Sequence, residues 1–299
     1  LFADFQGEIA ALSGSFLWAT TAVVYNRLGQ EIPPLVLNLV KGAIAIALLL
    51  LTLIFQGDLF PTIDTRAVIL LLLSGALGIG IGDTAFFAAL NALGSRKTLL
   101  LETLAPPLAA SMALIGLQEW LSWGAWCGII LTVSGIAWVI SERTAESGAG
   151  TTNLMPGVSF GVLAALSQAG GAVLSRAALA YTNINPLWSS LMRVLAGTIF
   201  IFPLVLARRE NPYMLKILQS KHLCSLIVLA AFASTYLGIW LQQIAFKFSA
   251  AGIAQTLLST SPLFVLPIAI AMGERVSLRA FIGAAIALTG IALLFVGNS

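Results

Sequence analysis

Ser134-Gly135-Ile136-Ala137 returns as Thr289-Gly290-Ile291-Ala292, 155 residues further along the chain. The match extends well beyond these four residues. From Asp83 to Ile140 the sequence aligns without a gap on Gly238 to Phe295 at the same offset of 155. Pro107 falls on Pro262, Gln118-Glu119 on Gly273-Glu274, and Gly128 on Gly283. Upstream, Pro34-Leu35 to Lys41 matches Pro186-Leu187 to Arg193 at an offset of 152, and Gly7 matches Gly157 at 150. The offset changes only where loops are expected, so the second half of the chain repeats the first.

Composition gives the class. Apolar residues make up 59% of the 299 residues and charged residues 9%, where a soluble domain carries about 25% charged. Apolar runs of about twenty residues, long enough to span a bilayer core, recur near 7–28, 34–55, 67–91, 97–117, 121–141, 154–178, 186–207, 222–246, 250–272 and 276–297. Barrel strands would be half as long and would alternate in polarity. The expected fold is therefore an all-α integral membrane protein with ten transmembrane helices. The first run lacks a basic leader and a small-x-small cleavage site, so it reads as a span rather than a signal peptide. A polar, Gly-rich linker at 142–153 separates a first repeat at 1–141 from a second at 154–299. Five helices per half is an odd number, which puts the halves in opposite orientations and makes the repeat an inverted one.

Several classes are excluded at this level. The net charge of +3 is spread over loops and forms no patch for nucleic acid. Cys127 and Cys224 have no partner spacing, and His222 starts a span beside Lys221 as an interfacial residue would. No metal, nucleotide or prosthetic group is implied. Gly78, Gly80 and Gly82 lie inside an apolar span with no Lys-Ser/Thr after them, so they do not form a phosphate loop. Gly75, Gly78 and Gly82 read instead as a small-residue face that lets helices approach. Pro106-Pro107, Pro262 and Pro267 break backbone hydrogen bonds at membrane depth, which is tolerated where the backbone lines a cavity; they are expected to kink their helices.

Basic residues are unequally divided between the two membrane faces. One collects Arg27, Arg96, Lys97, Arg143, Arg208, Arg209, Lys216, Lys221, Arg275 and Arg279; the other has Arg66, Arg176 and Lys247. The positive-inside rule puts the first face in the cytoplasm and both termini outside.

Lys41, Asp83, Glu102 and Arg193 fall inside spans. Charges at such depth usually face the protein interior and pair. Lys41, Glu102 and Asp83 lie roughly seven, six and ten residues from loops on one face, within reach of one another at about 1.5 Å per residue. A Lys41–Asp83 or Lys41–Glu102 pair is geometrically allowed. The second repeat keeps the base as Arg193 and replaces the acids by Gly238 and Leu257. Arg193 is thus a candidate anion site, its planar fork suited to a carboxylate; the structural alternative is a snorkelling arginine that holds helix ends together. A carboxyl in an apolar cavity can carry a proton near neutral pH. Asp83 or Glu102 is therefore a candidate for proton coupling, with Asp83 the deeper; the alternative is a permanent partner for Lys41. Trp18, Tyr25, Ser167, Gln168, Tyr236, Trp240, Gln243 and Gln255 lie on presumed lining helices. Trp18, Gln168, Arg193, Tyr236, Trp240 and Gln255 form the candidate substrate site, although each alone also serves as interhelical glue or an interface anchor.

The ordered set of features resembles the drug/metabolite transporter superfamily, specifically bacterial proteins with two EamA domains. The set comprises Trp18-Ala19, the base in the second helix of each repeat (Lys41, Arg193), the prolines of the fourth and ninth helices, Glu119 and Glu274, and the repeated Ser/Thr-Gly-Ile-Ala. The second repeat departs from it at Ser167-Gln168-Ala169, where the first has tryptophan. The resemblance implies ten helices and alternating access to a cavity lined by helices one, three, four, six, eight and nine. It implies export or exchange of a small polar metabolite such as an amino acid, across the inner (plasma) membrane, by a monomer or weak dimer. The competing classes are a channel-like pore, which lacks the expected ring of like polar residues, and an intramembrane enzyme, which would have only Asp83 and Glu102 for acid–base work.

Overall fold

The computed structural model describes residues 5–57, 64–93, 95–141, 154–180, 182–208, 220–271 and 277–297. Glu274, Arg275, Arg143, Arg209, Lys216 and the linker at 142–153 lie outside them. The described residues are helical and contain no strand. In chain order, α1 is Gln6–Glu31 and α2 is Pro34–Gln56. α3 runs through Thr65–Gly75, a π-helical stretch Ala76–Gly82, and Asp83–Leu93. α4 is Ser95–Glu102 followed by Ala105–Leu117, and α5 is Trp123–Ser141. α6 is Leu154–Leu179 and α7 is Pro186–Ala207. α8 runs through Lys221–Ala230, a π-helical stretch Ala231–Leu237, and Gly238–Phe248. α9 is Ala251–Leu258 followed by Ser261–Ala271, and α10 is Leu278–Gly297. Eight stretches among the described residues are long and apolar enough to cross a bilayer: those of α2 to α8 and α10. α9 contributes a shorter apolar stretch, Ala251–Val265.

Local sequence sets the ends. Pro34 and Pro186 open α2 and α7 at the first helical position, where the missing N–H has no helical partner to lose. Asn185 caps α7 by accepting from Leu187 N at 2.9 Å, as expected of a side-chain N-cap. Gly57 closes α2 in the left-handed conformation, with φ of 72°. Gln118 takes the same conformation at φ of 54° without being glycine, and so turns the chain sharply just before Glu119. The prolines of α4 and α9 coincide with interruptions of their helices. Each helix breaks and restarts: at Thr103-Leu104 ahead of Pro106-Pro107, and at Ser259-Thr260 ahead of Pro262. The proline then stands in the first turn of the new segment, where it costs nothing. Pro267 does lie inside its helix, as does Pro203 in α7.

Packing carries the repeat into three dimensions. A β-carbon on Gly128 would stand 2.9 Å from the Gly290 carbonyl oxygen, and one on Gly290 would stand 2.7 Å from that of Gly128. Gly135 and Gly283 make the same exchange at 2.5 and 3.0 Å. Residue 128 corresponds to 283 and 135 to 290, so swapping the repeats turns one contact into the other. Residue number rises along α5 as it falls along α10, hence the two helices are antiparallel. With lipid on the outside, such backbone proximity is a main source of helix association. Contacts of α1 with α8 are mirrored by those of α6 with α3, and α2 packs on its own counterpart α7. The largest apolar cluster joins both halves through Leu49, Leu53, Leu71, Leu187, Phe246 and Leu257. Outward faces carry Phe55, Ile115 and, at a helix end, Trp120 and Trp123, all largely exposed, as expected where lipid and its interface replace water.

The two π-helical stretches occupy equivalent positions, 76–82 and 231–237, at the offset of 155. Asp83 N bonds back to Gly78 O and Gly238 N to Ala233 O, five residues apart in each case. Such wide turns are rare and concentrate at functional sites.

Candidate functional site

The glycines in and just before the π-helical stretch of α3 let two other helices come close. A β-carbon on Gly75 would lie 2.2 Å from the Arg193 carbonyl oxygen, and one on Gly82 would lie 3.2 Å from Ser167 Cβ. The small-residue face therefore brings α3 against both α7 and α6. Asp83 follows at once. Its Oδ2 is 3.3 Å from Lys41 Nζ, and its Oδ1 accepts from Gln168 Nε2 at 3.3 Å. Of the two ion pairs that depth alone allowed, Lys41–Asp83 is the one formed. Lys41 Nζ also stands 5.8 Å from the ring centres of Tyr25 and Phe87, within range of a cation–π attraction. Glu102 interacts electrostatically with Asp83, and its Oε1 is buried with no hydrogen-bond partner.

Arg193 lies deeper, only 2% exposed. Its Nη1 donates to Gln242 Oε1 at 2.8 Å, while its Nε has no partner. Asp83 acts on it electrostatically. The repeats are again equivalent here: residue 41 corresponds to 193 and 87 to 242, so Lys41 over Phe87 mirrors Arg193 on Gln242. One turn along α7, Ser189 donates to Gln243 Oε1 at 3.1 Å, and Gln243 Nε2 is buried without a partner.

The aromatic candidates fall into two groups. Trp18 Nε1 donates to the Ser234 carbonyl at 3.0 Å, and Tyr25 Oη lies 2.8 Å from Ser234 Oγ. Tyr236 Oη lies 2.8 Å from Thr52 Oγ1, and its ring centre is 6.2 Å from that of Trp240. Gln255 is buried, with Oε1 unpartnered, as is Ser167 Oγ. The structure thus joins Lys41, Asp83 and Gln168 directly, groups Trp18 with Tyr25 and Tyr236 with Trp240, and places Gln255 in contact with none of them through a hydrogen bond.

Three features escape a reading by sequence. Gln242, the partner of Arg193, aligns with a phenylalanine and gives no signal. Arg176, counted among the residues of one membrane face, is in fact 8% exposed, in the last turn of α6. It forms an ion pair with Glu119 and donates to the carbonyls of Phe246 and Lys247. Glu8, at the start of α1, is likewise buried.

Chemically, these residues form a polar strip through an apolar bundle. Lys41 and Arg193 are its cations and Asp83 and Glu102 its carboxyl groups, and several of its buried polar atoms have no hydrogen-bond partner.

A model of the EamA-like transporter family matches the chain twice, over residues 5–141 and 155–296. No curated protein matches it. A crystal structure of a protein superposes with a TM-score of 0.77 over 98% of each chain at 15% sequence identity, which shows a shared fold. The doubled match covers nearly all of the sequence, and its boundaries fall where the internal repeat divides: the chain is a multi-pass membrane protein that belongs to the EamA-like transporter family.

Proposed function

We propose that the protein is a secondary active transporter, an exporter or exchanger of a small polar metabolite. It spans the inner membrane with ten helices, arranged as two inverted five-helix repeats, and works by alternating access to the polar strip. The observation that carries this reading is Arg193: a wholly buried guanidinium with one amide partner and an unpartnered Nε. Buried polar atoms are normally satisfied, and a cation at membrane depth points to a pathway. Arg193 and the nearby amides meet the carboxylate of the metabolite, and Trp18, Gln168, Tyr236, Trp240 and Gln255 line its route.

Protons are the coupling ion in this reading, and the carrier is Glu102 in preference to Asp83. Asp83 is held by Lys41 and Gln168, whereas Glu102 Oε1 has no partner. A protonated Glu102 leaves Lys41 and Arg193 with one anion between them, and an incoming carboxylate restores neutrality.

Counterflow in proteoliposomes, driven by candidate amino acids and other small carboxylates, tests the reading. The expected result is saturable counterflow that Arg193→Ala abolishes in folded, inserted protein and Arg193→Lys restores only in part, because lysine lacks the bidentate fork. Unsaturable flux, or wild-type rates in Arg193→Ala, would refute it.

A further inference from the structure

The two repeats are equivalent in sequence but not in packing. In the second, Gly238–Phe248 packs against both α6 and α7, and Ala251–Leu258 packs against α6. In the first, the counterpart Asp83–Leu93 touches α2 only slightly and α1 at few points or none. The consequence shows in exposure. The Lys41 and Asp83 side chains are 17% and 22% exposed, while Arg193, the counterpart of Lys41, is 2% exposed. One face of the bundle is closed and the other is loosened.

The closed face is held by a set of polar contacts that join α6, α7, α8 and the start of α9. Arg176, at the end of α6, donates to Phe246 O at 3.1 Å and to Lys247 O at 2.7 Å. These are among the last carbonyls of α8, which have no helical donor of their own. Glu119, from the other repeat, pairs with the Arg176 guanidinium through Oε1. Through Oε2 it accepts from Ala251 N, at the start of α9, at 3.0 Å. Lys247 Nζ donates to Ile184 O in the loop between α6 and α7 at 2.8 Å. Deeper in, Ser189–Gln243 and Arg193–Gln242 join α7 to the same segment of α8. All of these contacts hold Gly238–Phe248 and its continuation into α9 against α6 and α7. The segment begins where the π-helical stretch Ala231–Leu237 ends.

We infer that Gly238–Phe248 with Ala251–Leu258 is a gate, that the π-helical stretch Ala231–Leu237 is its hinge, and that Arg176 bridged by Glu119 is its latch. The mirrored stretch Ala76–Gly82 is the hinge for the segment that already stands open. Transport then exchanges the two packings between repeats: the latch releases as Asp83–Leu93 closes on α1 and α2, and Arg193 becomes exposed while Lys41 is buried. Glu119 is the element on which the exchange turns. It is the latch residue supplied by the opposite repeat, and Gln118, with its left-handed backbone, sets its direction.

This inference rests on the transporter reading, but its test needs no substrate. Single cysteines are placed at Ser189, behind the latch, and at Ala88, which is the equivalent of Gln243 in the open repeat and is partly exposed. Both are made in protein lacking Cys127 and Cys224, and a small hydrophilic thiol reagent is applied in detergent. Glu119→Gln keeps the size of the side chain and removes its charge. It should speed labelling at 189 and slow it at 88, so that the ratio of the two rates changes by about tenfold, the effect of moving a two-state equilibrium by roughly 1.4 kcal/mol. Arg176→Lys, which keeps the charge and loses the fork, should do the same to a smaller extent and serves if Glu119→Gln does not fold. Unchanged labelling at both positions in folded protein overturns the latch. So does faster labelling at both, which would make Glu119 a structural cap whose loss loosens the whole fold. Opposite shifts together with absent counterflow would keep the latch and overturn the transporter reading instead.

Discussion

Gln168 donates from Nε2 to Asp83 Oδ1 at 3.3 Å, tying the sixth helix to the third across the boundary between repeats. The mirror position is held differently. Trp18 corresponds to Gln168 and Gly238 to Asp83, and Trp18 Nε1 lies where a β-carbon on Gly238 would be, 2.5 Å away. An amide on an acid in one half thus stands opposite an indole packed on a glycine in the other. Both pairs sit at the end of a π-helical stretch, so the site has kept its two-fold geometry while its chemistry has diverged. The divergence leaves both acids in one repeat, which gives a carrier two chemically distinct ends.

The Lys41–Asp83 pair should be needed for stability in a way that removing both charges relieves. Asp83→Asn leaves Lys41 at membrane depth without its partner, and breaking a buried pair from one side costs about 3–5 kcal/mol. Exposure of the two side chains at 17% and 22% places the expected loss at the lower end or below it. Lys41→Met in the Asp83→Asn background should recover most of the thermal stability of the purified protein. A double variant no more stable than Asp83→Asn would show that the pair is not what holds α2 to α3.

Gly75 should tolerate no side chain. Its β-carbon would meet the Arg193 carbonyl oxygen at 2.2 Å, and that atom is helix backbone that cannot rotate away. Gly75→Ala should push α3 from α7 and lower folded yield sharply, since overpacking typically costs about 1–3 kcal/mol. Gly116→Ala, where nothing lies within 4 Å, is the matched control and should behave as wild type in size-exclusion profile and melting temperature. Equal behaviour of the two variants would contradict the close approach of α3 to α7.

Much of this architecture could be read from the sequence, and what could not has physical causes. The apolar run at 186–207 and the helix Pro186–Ala207 have the same bounds, because proline starts the helix and the end of apolar sequence stops it. The Lys41–Asp83 pair was allowed by depth alone, yet depth could not choose between Asp83 and Glu102, which needs the rotation of each helix about its axis. The π-helical stretches were hidden for another reason. Gly75, Gly78 and Gly82 spoke for close packing, but a shift from four- to five-residue hydrogen bonding depends on what the neighbouring helices demand, and Ala231–Leu237 contains no glycine at all. The burial of Arg176 is not legible because it falls at the end of an apolar run, where a base normally reaches the interface. It is buried through partners in Glu119 and in α8, far away in sequence.

The faces of the membrane should follow the basic residues. The membrane face carrying Arg96-Lys97 and Arg208-Arg209 is expected in the cytoplasm. A cysteine at Ser95, in protein lacking Cys127 and Cys224, should resist an impermeant maleimide applied to intact cells and react once the membrane is opened. Rapid labelling from outside would reverse the assignment, and would put the Arg176–Glu119 latch on the cytoplasmic face.

Glu102 should set the response of net flux to pH. Among the described residues, Asp83 is the charged group that acts on it. Asp83 is already paired, and Glu102 Oε1 lies buried without a partner. A proton is the simplest ligand for a carboxyl oxygen so placed. Release then requires that water or a cation reach it as the cavity changes sides, which is what coupling to a proton gradient needs. Glu102→Gln mimics the protonated form without the ability to release it. In proteoliposomes it should flatten the pH profile of net flux while leaving substrate-for-substrate exchange within about twofold of wild type, since exchange moves no net proton and the size of the side chain is kept. Asp83→Asn in the Lys41→Met background should not reproduce that separation, because it removes an ion pair and leaves Glu102 in place. A pH profile unchanged in folded Glu102→Gln protein would rule Glu102 out as the carrier, and equal loss of net flux and exchange would make it a binding residue for the substrate instead.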